Sequence, residues 1–181
     1  MYIGSAQGFR LERESEYGSP EQNAAVEEIV EAVRREGDEA LLRYTERFDK
    51  AKLTPDRLRV TPEEIAAAYE RVEPEFLSAL RQAAANVTAF HEKQKRTSWM
   101  EAQPDGTMLG MVVRPLRRVG LYVPGGKAAY PSSVLMNVLP AKVAGVPEIA
   151  LVTPPATGGK EGIDPYILVA AAEAGVTEMY R

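Results

Sequence analysis

The 181-residue chain contains no cysteine. That absence removes disulfides, thiolate nucleophiles and cysteine-held zinc or iron–sulfur centres together, and it favours a reducing compartment. Histidine is nearly absent as well, with His91 the single one. A catalytic zinc ordinarily takes three protein ligands, most often histidines, so a zinc held by this chain alone would rest largely on carboxylates. No apolar run approaches the roughly 20 residues of a membrane-spanning helix. Met1 to Phe9 lacks the basic head and apolar stretch of a secretory leader. Lys and Arg number 22 against 26 Asp and Glu, and a net charge of −4 leaves no basic stripe to neutralise a phosphate backbone. The expectation is a soluble, cytoplasmic chain with no nucleic acid and no membrane as partner.

Helix signals dominate the first half. Ser19-Pro20-Glu21-Gln22 is a capping box with proline at the first helical position, where its missing N–H costs nothing. Val26, Ile29, Val30 and Val33 then recur at helical spacing. Gly37 should stop that helix and Asp38 cap the next, whose stripe is Leu41, Tyr44, Thr45 and Phe48. Thr61-Pro62-Glu63-Glu64 repeats the capping box ahead of Ile65, Tyr69 and Val72. A longer helix from Pro74 carries Phe76, Leu77, Leu80, Ala84, Val87 and His91 along one side. All these stripes are expected to face a core.

Near residue 97 the pattern changes. Asp105-Gly106 marks a turn, and Met108 to Val113 and Val119 to Val123 read as strands separated by Pro115 and the Arg117-Arg118 pair, expected to be a solvated turn. A helix over about 132–144, a strand over 149–153, a helix over 165–174 and a strand from Thr177 follow. Ala144-Gly145-Val146-Pro147-Glu148-Ile149 is matched thirty residues on by Ala174-Gly175-Val176-Thr177-Glu178-Met179. Each glycine supplies the left-handed residue that turns a helix into the next strand. Repeated strand–helix–strand units imply parallel crossovers and a doubly wound α/β sheet. A parallel sheet ending at the last of these strands is expected to have an open edge, and the helical and strand–helix halves are expected to bury their faces separately, with a boundary between Thr97 and Val119.

The run Val119-Gly120-Leu121-Tyr122-Val123-Pro124-Gly125-Gly126-Lys127 is the most informative. A strand ending in Pro-Gly-Gly puts accessible backbone at its carboxyl end, where open α/β sheets bind ligands. Tyr122 either lines that crevice or is a buried tyrosine ahead of a plain turn. Lys127 does not make a P-loop: it falls one residue late after Gly120 and Gly125, and Ala128 stands where Ser or Thr is needed. Gly158-Gly159-Lys160-Glu161 fails likewise, and G-x-G-x-x-G is absent. His91 is either a substrate contact or an ordinary residue of a helix end. Pro140 should kink its helix, most simply as a structural feature.

Taken together, Arg114-Pro115-Leu116-Arg117-Arg118, the run from Val119 to Lys127, Tyr130-Pro131-Ser132-Ser133 and Pro140-Ala141-Lys142-Val143-Ala144-Gly145-Val146 strongly resemble histidinol dehydrogenases. Glu36-Gly37-Asp38-Glu39-Ala40-Leu41 and Phe90-His91-Glu92-Lys93-Gln94 fit the same family, so the resemblance runs from about Val26 onward. It implies a zinc-dependent, NAD-linked homodimer that oxidises L-histidinol through L-histidinal to L-histidine. It also implies Rossmann-like domains of aldehyde dehydrogenase-like architecture. Residues 1–115 would be the mainly helical part of the first domain, and 116–181 the first strand–helix–strand units of the NAD-side domain. The family's NAD-contacting tyrosine falls on Tyr122, with Pro124 its neighbour in the pocket. Family members are more than twice this length, and their zinc ligands and acid–base pair fall beyond residue 181. The resemblance therefore implies a chain without catalytic or metal residues of its own; the alternative is a non-catalytic binding or assembly module.

Overall fold

The computed structural model describes residues 18–125, 129–156, 162–176 and 178–181, and the chain divides into two units, 1–41 and 42–181. In the first unit, helix α1 (Pro20–Glu36) starts at the expected capping box. The Ser19 hydroxyl accepts the Gln22 N–H at 3.3 Å, and the Gln22 side chain accepts the Ser19 N–H at 2.9 Å. Gly37, at φ 62°, ends α1 by donating its N–H to Val33 O. Helix α2 (Asp38–Asp49) follows at once. The Gly37 carbonyl accepts the Leu41 N–H at 3.3 Å, so Asp38 is the first helical residue and not the cap. The two stripes expected to be core are largely outside: Val26 is 60% and Phe48 56% exposed, and Val30 and Leu41 are exposed too. Helical periodicity identifies an apolar face; it does not say what covers it.

The second unit is built around helices α3 (Pro62–Tyr69) and α4 (Pro74–Glu92), a hairpin, and a parallel sheet. Thr61 caps α3 as expected, its hydroxyl taking the Glu64 N–H at 3.2 Å. The hairpin joins β1 (Trp99–Ala102) and β2 (Met108–Met111) in antiparallel register, Trp99 opposite Met111. Its turn is the expected one: Gly106 sits at φ 87°, and Asp105 accepts the Thr107 N–H at 2.9 Å. Strand β1 gave no alternating pattern and was not anticipated. Strand β2 stops two residues short of the expected Val113.

Strands β3 (Arg118–Tyr122), β4 (Glu148–Val152) and β5 (Glu178–Tyr180) form a parallel sheet in that order. Helices α5 (Pro131–Val143) and α6 (Pro165–Ala174) make the crossovers, and α5 runs through Pro140 without interruption. Both helices end as the repeat implied. Gly145 (φ 87°) and Gly175 (φ 85°) donate to Lys142 O and Ala172 O, while Val146 and Val176 donate to Ala141 O and Ala171 O. This double bond pattern consumes the last carbonyls of each helix.

Alternation along the strands sends Val119, Leu121 and Val123, then Ile149 and Leu151, then Met179 to one face. There they meet Val134, Val138, Ile167 and Val169 of α5 and α6. Helices α3 and α4 close over α6 and α5 in turn, and Val60, Ala68 and Leu80 belong to the same buried cluster. Helices α3 and α4 therefore do not bury their faces apart from the strand–helix units, and no packing boundary between them falls at Thr97 to Val119. The apolar sides of α3 and α4 find their partner in the outer faces of α5 and α6. The expected open edge is also corrected. The segment around Arg59 runs antiparallel beside β5: Val60 N–H donates to Met179 O and Arg181 N–H to Leu58 O, both at 2.9 Å. The opposite sheet face, carrying Gly120, Tyr122, Ala150 and Val152, has no helix over it among the described residues. Parallel sheets are ordinarily covered on both sides.

Candidate functional site

The carboxyl end of β3 is where sequence and structure converge. Tyr122 is the last residue of β3 and pairs with Val152, the last of β4. The ladder extends one residue further, because Val123 donates its N–H to Val152 O at 2.9 Å. Val123 is fully buried, so its neighbours Tyr122 and Pro124 point the other way, to solvent. Tyr122 is 62% and Val152 41% exposed. The buried-tyrosine reading is thereby set aside. The ring stands on the uncovered face, at the carboxyl end of β3.

Beside the ring the backbone is close-packed. Gly125 lies against Pro154, the second residue after β4, so the loops leaving β3 and β4 touch. Strand β4 is followed by consecutive prolines at 154 and 155, which fix the backbone there, and the Ala156 N–H donates to Gly162 O at 2.8 Å. Tyr130 precedes α5, and its carbonyl accepts the Ser133 N–H at 3.0 Å. Gly126, Lys127 and Ala128 lie outside the described residues, as does Gly158-Gly159-Lys160-Glu161. An exposed aromatic ring, an exposed proline and a glycine-lined approach at the carboxyl end of a parallel sheet suit a flat, partly apolar cofactor such as NAD.

His91 is not brought to this place. It sits at the last turn of α4, Nδ1 2.7 Å from Gln94 Oε1, with its ring edge-on to Phe90. The neighbouring Thr88 and Glu92 line a shallow groove with Leu139, Lys142 and Val143, at the far end of α5 from the crevice. Among the described residues no three of His, Asp and Glu cluster as metal ligands.

One charged group was misread from the sequence. Arg118 is no solvated turn: it opens β3 and spans the sheet, with Glu148 of β4 at 3.3 Å and Glu178 of β5 at 2.7 Å. The Tyr180 hydroxyl donates to Glu178 at 2.6 Å. That bond, then Arg118, holds the Glu178 carboxyl below the usual carboxylate range, and the Tyr180 phenol is correspondingly raised. The signal was present, since Glu148 and Glu178 occupy the same position of the thirty-residue repeat. Arg118, Glu148 and Glu178 open their strands and brace the amino end of the sheet, while Tyr180, level with Val152 and Tyr122, reaches back to Glu178.

The model of the histidinol dehydrogenase family matches residues 12–181. The chain is 57% identical over 157 residues to the histidinol dehydrogenase of Heliobacterium mobile, covering 86% of this chain and 36% of that protein. It is 53% identical over 175 residues to that of Geobacillus kaustophilus, covering 96% and 40%. The crystal structure of histidinol dehydrogenase from Elizabethkingia anophelis superposes with a TM-score of 0.82 at 36% identity, over 91% of this chain and 37% of that one. The chain thus spans well under half the length of the relatives it matches.

Proposed function

The chain belongs to the histidinol dehydrogenase family, and from that premise we propose that it is the N-terminal portion of a zinc-dependent, NAD-linked enzyme oxidising L-histidinol through L-histidinal to L-histidine. The observation that carries the reading is the exposed Tyr122 at the carboxyl end of β3, beside Pro124. NAD, when bound, supplies the hydride acceptor. The Tyr122 ring forms one wall for it, and Pro124 a rigid apolar shoulder next to that wall.

The described residues do not suit zinc, which needs a set of ligands that His91 alone cannot begin. The metal ligands and the proton-transferring groups belong, on this proposal, to the remainder of a longer polypeptide, as do the homodimer contacts. The division into a helical part, 1–115, and NAD-side units, 116–181, is one we assign by topology; of the helical part, α3 and α4 share the core of the NAD-side units. The setting we assign is the cytoplasm; no described helix is long and apolar enough to cross a membrane.

Histidinol-dependent NADH formation tests the reading. The 181-residue chain should give none above background, with or without added zinc, whereas a longer polypeptide continuing the family sequence should turn over. Activity of the isolated chain that a chelator abolishes would show the assignment of the chemistry to be wrong.

A further inference from the structure

Resting on the reading of the β3 end as a wall of the NAD crevice, we propose that Gly125 is a positioning residue: its bare Cα lets the backbone after β3 seat on Pro154, and this seat sets the stance of Pro124 beside the ladder-held Tyr122. Gly125 is not one of the glycines with positive φ, so its backbone does not demand glycine. Space does. A Cβ built on Gly125 would lie 3.0 Å from Pro154 Cγ, 3.1 Å from Pro154 O and 3.3 Å from Pro154 Cδ. Each separation is inside the usual carbon contact range, so one side has to move.

Pro154 is poorly placed to yield. Its φ is fixed by its ring, and Pro155 after it is buried. Thr153 before it is 1% exposed and bonded through its N–H to Tyr180 O at 3.1 Å. After β3 the last ladder anchor among the described residues is Val123, whose side chain is buried and whose N–H is on Val152 O. A side chain at 125 therefore displaces Gly125 and carries Pro124 with it, while Tyr122 keeps its place in the ladder. Gly120 is the contrast within the same run: nothing lies within 4 Å of a Cβ placed there. Pro-Gly-Gly implies accessible backbone, and for its first glycine the structure adds a close approach to Pro154.

The test uses the full-length dehydrogenase carrying this chain, with NAD titrated by calorimetry and a melting curve for each variant. Gly125→Ala should raise the NAD dissociation constant by about tenfold while leaving the melting temperature of the NAD-free protein nearly unchanged, as expected of a displacement well under 1 Å in a binding wall. Adding Pro154→Ala removes Cγ and Cδ but leaves the carbonyl oxygen at 3.1 Å, so the double variant should recover part of the affinity. Unchanged NAD binding in Gly125→Ala overturns the proposal, and so does a loss that Pro154→Ala fails to relieve. If Gly125→Ala does not fold, Pro154→Ala alone decides: removing the seat should weaken NAD severalfold, and wild-type affinity overturns the proposal. Tyr122→Ala, run alongside, separates the two levels. Should it leave NAD binding intact, the crevice reading itself fails and the positioning role falls with it; should only the Gly125 variants be silent, the crevice reading survives.

Discussion

Arg181 and Glu64, 117 residues apart, meet at 2.6 Å, Nη2 to Oε2, with the Arg181 side chain only 1% exposed. The same Glu64 oxygen accepts the Thr61 N–H at 2.9 Å, so one carboxylate both completes the capping box of α3 and holds the residue after β5. The Arg181 bond is the main reason the Glu64 carboxyl lies below its ordinary value.

A group with a lowered folded value contributes stability above its unfolded value and loses it as pH falls through the folded one. Glu64→Gln should therefore melt lower than the parent at pH 7, by roughly 1–3 kcal/mol of stability, discounted from a fully buried pair because Glu64 is a third exposed. The difference should persist down to about pH 4.5, the ordinary glutamate value, and shrink as the pH drops below it. Melting curves from pH 7 to 3 check this; a difference that does not change with pH would show that lost packing, not charge, is responsible.

Glu173 of α6 accepts the Tyr69 hydroxyl of α3 at 2.8 Å and both Arg81 Nε at 2.7 Å and Nη2 at 2.9 Å from α4. Burial, then Glu173, pushes the Tyr69 phenol up to about 12. Urea denaturation should rank the substitutions. Glu173→Ala should cost most, about 1–3 kcal/mol, because it strands a half-buried hydroxyl. Tyr69→Phe should cost about 1 kcal/mol and Arg81→Ala less, since Arg81 is largely exposed. Arg81→Ala as the worst of the three would contradict the account.

The equivalent glycines of the repeat should not be equally sensitive. Gly145→Ala meets only the Pro115 ring, at 3.7 Å and beyond, so left-handed strain of about 1 kcal/mol is the whole effect. Gly175→Ala carries the same strain, but its Cβ also collides with Lys142 Nζ, which donates to Ala174 O at 2.9 Å. The expected outcome is a clearly larger loss for Gly175→Ala, and Lys142→Ala in the same chain should bring the two closer together.

Tyr122→Ala in the full-length dehydrogenase should weaken NAD by on the order of 1–3 kcal/mol, or roughly tenfold to a hundredfold, with zinc content unchanged. Because Tyr122 is 62% exposed, the melting temperature should hardly move. Tyr122→Phe keeps the ring and deletes the hydroxyl, dividing the effect between stacking and hydrogen bonding. A sharp fall in melting temperature for the Ala variant would instead mark the ring as structural.

Interactions within a few residues were legible from the sequence alone. The capping boxes at Ser19 and Thr61, the turn at Asp105-Gly106, the left-handed stops at Gly145 and Gly175 and the order β3-α5-β4-α6-β5 all depend on near neighbours, whose chemistry is visible in the string itself. So was the family, and with it the place of Tyr122 at a strand end. Tertiary structure alone decided the rest. It set the segment around Arg59 against β5, stretched Arg118 over two strands, joined Arg181 to Glu64, and seated Gly125 on Pro154. It also left Val26 and Phe48 outside while drawing the equally periodic Leu80 into the core. The physical reason is common to all of these: periodicity and turn chemistry specify the shape and polarity of each element, whereas register, burial and pairing depend on which other element arrives at its face.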